Sequence, residues 1–342
     1  MGVLLTPIIL KRELTLDSLR GLSFAVDANN YLYQFLALVR KPDGSPLTDM
    51  RGNITSHLAG LAFRTTRLIH DYGLRLVFVF DGKPPELKRD ELEKRRLQKK
   101  KAEEEWIRAL SLGDYAAAFS KAVMTGRLTE AMIHDAKKLL ELLGIPYIQA
   151  AGEAEAQCAY MAIRGDVWAA SSKDYDSLVF GAPRLVRYLT IHGKEWLPSK
   201  GKARPLKPEL IELEKLLAHH SITREQLIDI AILIGTDFNE GIRGIGPKKA
   251  LSLIKRYGKI EALPSQLRGQ LEEQNYGAIR RIYLEPQIVD NYAINYTKID
   301  EAGVYRFLCD ERDFSYDRVK VVVERMKLFY QALDRQEKLG WE

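Results

Sequence analysis

The sequence predicts an α/β fold built on a central, mainly parallel sheet flanked by helices. Two observations lead there: short apolar runs alternate with amphipathic helical stretches, and acidic residues recur just past the ends of those runs. Strands buried on both faces read as continuous apolar runs, and alternation with helices implies crossovers that cover both faces of the sheet. The runs are 22–26, 74–80, 145–148, 167–170 and 185–191. Helical periodicity covers 59–71 and 131–143, the latter stopped by Gly144 and Pro146.

Composition narrows the class. At 342 residues the chain is long enough for one large core or two domains, and 46% hydrophobic residues argue against wholesale disorder. Lys and Arg number 52 against 46 for Asp and Glu, a net +6 that favours a polyanionic partner without requiring one. Cys158 and Cys309 are too few for a disulfide framework or a cysteine zinc site. They suit a reducing compartment, so an intracellular, cytoplasmic protein is expected. The apolar stretch 3–10 contains Pro7 and is too short to span a bilayer. The first six residues fit a loose myristoylation pattern, but no polybasic patch adjoins them, so no membrane partner is expected.

Acids stand just beyond the carboxyl ends of the predicted strands. Asp27 follows the first run and Asp81 the second; Glu153 and Glu155 come soon after the third, Asp174 and Asp176 soon after the fourth. Open α/β sheets bind ligands along that edge. Any one of these acids reads equally as a helix cap or a turn residue. Six at equivalent strand ends are harder to explain so, because close carboxylates repel and raise one another's pKa. A divalent cation removes the difficulty, and all-oxygen donors point to Mg²⁺ or Mn²⁺. Paired ions suit phosphoryl chemistry, which a phosphatase, a polymerase and a nuclease share.

Two further segments select nucleic acid. A helix expected at 225–234 leads to a seventh acid, Asp237, and then to the run 241–250, with Gly244, Gly246, Pro247, Lys248 and Lys249 opening another helix. Glycines let a ligand approach the backbone, and free N–H groups at a helix start favour an anion. This is a helix-hairpin-helix-like design for gripping a phosphate backbone without reading bases; the plainer reading is a glycine-rich turn. The segment 83–108 holds ten basic residues among seven acids, mostly a solvated, ion-paired helix. Lys88 and Arg95 stand seven residues apart and so share one helical face just after Asp81, where they can neutralise a scissile phosphate. The following 111–126 is Ala-rich with few large apolar groups and is expected to pack weakly.

Taken together these runs resemble the flap endonuclease family, its archaeal members most of all. The matching stretches are 26–28, 79–85, 152–157, 174–178 and 241–250, in the family's order. The resemblance implies a PIN-like nuclease core, one domain over 1–342. Region 1–108 would end in a basic helical arch and 109–130 would connect; 131–258 would carry the hairpin and 259–342 a helical tail. It implies two Mg²⁺ ions, with Mn²⁺ able to substitute, held by Asp27, Asp81, Glu153, Glu155, Asp174, Asp176 and Asp237. It implies that Lys88 and Arg95 contact the scissile phosphate, and that the arch receives the 5′ strand. Tyr33 matches an aromatic that stacks on a base, although core packing in an amphipathic helix explains it equally well. Gly2 matches an N-terminal glycine near the active site, and Thr55 a region that holds a short 3′ flap. Gly244, Gly246, Lys248 and Lys249 would contact DNA, and the hairpin would bind a monovalent cation through main-chain oxygens.

Two departures stand out. Lys173 precedes the acid pair where relatives often carry Gln or Glu, which alters local charge but not ligation. Relatives end in a Gln-x-x-Leu-x-x-aromatic-aromatic motif that docks on the sliding clamp; here Gln336 and Leu339 are present, but Trp341-Glu342 leaves the motif one position short. Clamp binding is therefore expected to be impaired, or the chain truncated. The expected activity is 5′ flap endonuclease and 5′-3′ exonuclease cleavage of branched DNA by a monomer, in replication and repair. Its rivals are a related 5′ nuclease for bubbles, nicks or RNA, a non-catalytic DNA-binding protein of the same fold, and a small-molecule phosphatase with an aspartyl nucleophile.

Overall fold

The computed structural model describes residues 2–41, 45–88, 128–190, 193–197 and 202–338, with isolated helical positions between 93 and 108. Nine strands form among them: β1 (Arg12–Glu13), β2 (Ser23–Asp27), β3 (Arg75–Phe80), β4 (Tyr147–Gln149), β5 (Ala169–Ser171), β6 (Arg184–Arg187), β7 (Gly193–Leu197), β8 (Lys202–Leu206) and β9 (Glu209–Glu212). Seven of these make one mixed sheet in the order β1-β9-β6-β5-β2-β3-β4, while β7 and β8 pair separately as an antiparallel ribbon. The five central strands run parallel, as the apolar runs predicted. The antiparallel β9 and β1 at the edge were not read from the sequence. β9 starts at Glu209, a buried carboxylate tolerable there because Arg187 and Lys11 both pair with it. The run 185–191 stays extended only to Arg187, because Tyr188 turns to a left-handed φ of 61°.

Side chains on the central strands alternate between two apolar layers, as the period of two requires. Ala25, Val77, Val79, Ile148 and Ala170 face one layer, packed by helices Ala154–Arg164 and Arg224–Ile234. Phe24, Val26, Leu76, Phe78, Phe80 and Ala169 face the other, packed by helices Ala28–Leu38, Glu130–Leu143 and Tyr316–Lys338. Burying a side chain such as Phe78 stabilises by about 2–3 kcal/mol, so the two layers fix the sheet on which the acids are mounted. The predicted helix at 59–71 lies inside a longer helical stretch, Ser56–Ala59 followed by a π-helical turn Gly60–Thr65 and then Thr66–Tyr72. Helix Glu130–Leu143 starts on a Thr129 cap and, as expected, stops at Gly144.

Chain order sets where a ligand can enter. β2, β3 and β4 step outward in one direction, and β5 and β6 are laid down on the other side of β2. The direction reverses between β2 and β5, where Val26 pairs with Ser171. Crossovers leave on opposite faces at such a point, which opens a crevice at the carboxyl ends of the strands. No helix among the described residues is long and apolar enough to cross a membrane. Segment 111–126, expected to pack weakly, lies outside the described residues, as do Leu339 and Trp341.

Candidate active site

The crevice beside β2 and β5 is where the acids meet. Asp27 ends β2 and caps the following helix, its Oδ1 accepting the Asn30 N–H at 3.0 Å. Its Oδ2 accepts the Ser172 hydroxyl at 3.1 Å, and the same hydroxyl lies 3.2 Å from Glu155 Oε1. Asp81 follows β3 and accepts the Ala154 N–H at 2.8 Å, at the first turn of helix Ala154–Arg164. That helix start favours anions, and Glu153 and Glu155 occupy it too.

The second acid pair is mounted on a tight turn after β5. Arg187 fixes that turn, donating from Nε to the Lys173 carbonyl at 2.7 Å and from Nη1 to the Tyr175 hydroxyl at 2.5 Å. Asp174 Oδ2 accepts from Asn30 Nδ2 at 2.8 Å. Asp176 Oδ2 accepts the Val3 N–H at 3.2 Å, which brings the N-terminus into the crevice. Gly2 belongs there by necessity: a Cβ on it would lie 1.9 Å from Asp176 Oδ2 and 2.8 Å from Asp174 Cβ. Asp237, after helix Arg224–Ile234, completes the set.

Burial and mutual repulsion show in the titration of these groups. Burial, then the charges of Asp81 and Asp174, raise the Asp27 carboxyl well above the usual range. Burial, Asp176, Asp27 and Asp174 do the same to Glu155. Asp176 is pushed up to about 7 by burial, with Asp237 and Asp174 adding to it. Burial lifts Glu153 as well, although Lys88 opposes the rise. Lys88 enters the nest itself, hydrogen-bonding Glu153 and standing 3.3 Å from Asp237 Oδ2. Burial works against its charge, but Glu153, Asp237 and Asp81 outweigh that and keep it protonated above its ordinary range.

All seven predicted acids therefore share one electrostatic cluster, linked through the charges of Asp27, Glu155, Asp176 and Lys88. As they stand, no three of the described acid, histidine or cysteine side chains are grouped tightly enough to hold one ion. The donor chemistry nonetheless fits a hard dication, because every donor is a carboxylate oxygen and the cluster is already paying electrostatically for excess negative charge. Lys88 now supplies the cation between Glu153 and Asp237.

The remaining predicted residues fall in different places. Helix Pro247–Tyr257 begins at Gly246 with no side-chain cap, beside the exposed Lys248 and Lys249. Buried Ile242 and Ile245 root the turn, which leaves Gly244 and Gly246 exposed. Gly241 is confined by close packing, since a Cβ would meet Gly235 N at 2.4 Å. Tyr33 is 38% exposed, so its ring is not part of the buried core. Thr55 is buried at 4% exposure with its N–H bonded to the Leu47 carbonyl, and stands apart from the acids. Arg95 lies outside the described residues. Sequence reasoning missed Asn30, Ser172 and Tyr283. Asn30 was legible at the capping distance from Asp27; Ser172 and Tyr283 carry no local signal, because only the fold brings them to the acids.

Comparisons with known proteins identify the family. Residues 1–102 match the XPG N-terminal domain and 144–237 the XPG I-region, so both matched segments carry candidate ligands. Flap endonuclease 1 of Pyrococcus abyssi is 48% identical over 342 residues, covering 100% of this chain and 98% of the relative. Among solved structures, the flap endonuclease-1 from Methanococcus jannaschii superposes with a TM-score of 0.74 at 38% identity, covering 96% of this chain and 98% of that one. The catalytic core of Rad2 in complex with a DNA substrate shares the fold at a TM-score of 0.68 and 23% identity, covering 95% of this chain and 100% of that one. Identity sustained over essentially whole chains leaves one conclusion: the chain belongs to the flap endonuclease family.

Proposed function

We propose that the protein is a structure-specific 5′ flap endonuclease and 5′-3′ exonuclease that hydrolyses DNA phosphodiester bonds with two Mg²⁺ ions. The observation that carries the reading is the buried nest of carboxylates with Lys88 among them. Asp27, Asp81, Glu153, Glu155, Asp174, Asp176 and Asp237 would hold the ions. Bound there, the ions would supply an activated water and neutralise the attacking and leaving oxygens. The chain's own groups do the rest. Ser172, Asn30 and the start of helix Ala154–Arg164 orient the carboxylates. Lys88, with Arg95, turns its charge to the scissile phosphate. Gly244, Gly246, Lys248 and Lys249 hold the duplex backbone without reading sequence, and exposed Tyr33 offers a stacking face. The protein acts as an intracellular monomer on branched DNA. Its relatives' names and the DNA in the Rad2 complex support this substrate class.

The test compares 5′-flap, bubble, gapped and RNA substrates, each with and without Mg²⁺. Flap cleavage that requires the metal, leaves 5′-phosphate and 3′-hydroxyl ends and disappears in Asp176→Ala with flap binding retained is the expected result. Hydrolysis of a simple phosphate ester with no DNA cleavage would overturn it.

A further inference from the structure

Tyr283 does something that the nuclease reading leaves unexplained. It lies on helix Tyr276–Leu284, far along the chain from every acid, yet its fully buried hydroxyl donates to Asp176 Oδ1 at 3.3 Å. The other Asp176 oxygen accepts the Val3 N–H at 3.2 Å. One carboxylate is thus held at both oxygens by groups from opposite ends of the sequence.

The aim of the phenol is fixed by packing. Its ring lies 4.7 Å from Phe180 and 5.6 Å from Phe238, centroid to centroid. Arg224 Nη2 bonds the Tyr283 carbonyl at 2.7 Å, pinning the backbone that carries the ring. Phenylalanine would fill the same aromatic volume, and burying a hydroxyl is favourable only where a partner meets it. The partner here is a candidate metal ligand, with Thr236 also beside the phenol. Groups that hydrogen-bond a ligating carboxylate set its orientation and tune the affinity of the site.

We propose that the Tyr283 hydroxyl is a positioning group for Asp176, holding that carboxylate in the attitude from which it binds the metal. The inference rests on the nuclease reading above. Its consequence is that helix Tyr276–Leu284, which comes well after the hairpin run 241–250 in the chain, is tied directly to the proposed metal site.

The test is Mg²⁺ binding by calorimetry to the full-length, DNA-free protein, comparing the parent with Tyr283→Phe. Thermal melts in metal-free buffer and single-turnover flap cleavage across a Mg²⁺ series accompany it. The variant is expected to bind Mg²⁺ about tenfold more weakly. Its melting temperature should stay close to the parent's, and its cleavage rate should recover as Mg²⁺ is raised. Equal Mg²⁺ affinity in the two proteins overturns the proposal, as does weakened affinity accompanied by a collapse in melting temperature, which would make the hydroxyl a packing group. Absence of Mg²⁺ uptake by the parent sinks the nuclease reading and this inference with it; uptake by the parent with no shift in the variant sinks this inference alone.

Discussion

The Lys88 ammonium stands 3.3 Å from the Asp237 carboxylate and hydrogen-bonds Glu153, inside the acid cluster. With its side chain 12% exposed, the pairing is shielded from solvent. Lys88 therefore fills the place where the proposed dication would sit, and the two are expected to compete. Lys88→Met is expected to strengthen Mg²⁺ binding to the DNA-free protein by about tenfold, the effect of a pairing worth ~1.4 kcal/mol. The same variant should slow single-turnover flap cleavage by roughly 100-fold or more, because the proposed contact of Lys88 with the scissile phosphate is lost. Calorimetry and quenched-flow kinetics on one preparation measure both. Weaker metal binding in the variant would mean that Lys88 supports the site and does not compete for it.

Gly2 gives a sharper steric prediction. Any Cβ there would overlap Asp176 Oδ2 and press on Asp174, two of the acids proposed to hold the metal. Gly2→Ala is expected to lose about 100-fold in cleavage rate, the usual cost of misplacing a reacting group by around an ångström. Thermal stability should change little, since Gly2 is only half-buried and has no side chain in the core. A parent-like rate would show that the terminus swings clear of the acids in solution.

These two residues also mark what the sequence could and could not convey. The parallel sheet was legible because Phe24, Val26, Leu76, Phe78 and their neighbours form apolar runs that suit only buried strands. The acids were legible because the carboxyl ends of such strands are where α/β sheets bind ligands. Lys88 was assigned to a phosphate from its spacing, and its present place between Glu153 and Asp237 depends on a fold that no spacing encodes. β9 escaped because Glu209 reads as a solvent-facing acid until Arg187 and Lys11 are brought to it. Tyr283 escaped for the same reason, since a tyrosine in an amphipathic helix looks like core until its hydroxyl is found on Asp176.

The hairpin predicts a change in salt dependence. Lys248 and Lys249 are exposed next to the uncapped start of helix Pro247–Tyr257, where they are proposed to meet phosphates. Replacing both with alanine should weaken binding to flap and plain duplex alike, whatever the sequence. The slope of log affinity against log salt should become shallower by about 2, close to one counterion for each lost contact. Fluorescence anisotropy titrations at several salt concentrations measure the slope. An unchanged slope with weakened binding would place the lysines in folding instead of in phosphate contact.

His57 supplies a prediction about stability that is independent of the active site. It is fully buried in helix Ser56–Ala59, and neither ring nitrogen has a hydrogen-bond partner among the described residues. Burial, with the charge of Arg312 adding to it, lowers its pKa from 6.5 to about 3, so it stays neutral in the folded protein. In the unfolded chain it would titrate at its ordinary value. Between those two values the unfolded state therefore binds the extra proton, and acid shifts the balance toward unfolding. Each pH unit lost inside that window should cost up to about 1.4 kcal/mol from this residue alone, with no contribution above it. His57→Leu removes the term, so the acid limb of a stability-pH curve should become shallower within the window and keep its shape above. Chemical denaturation across the window decides the matter, since an unchanged acid limb would mean that the folded imidazole already accepts the proton.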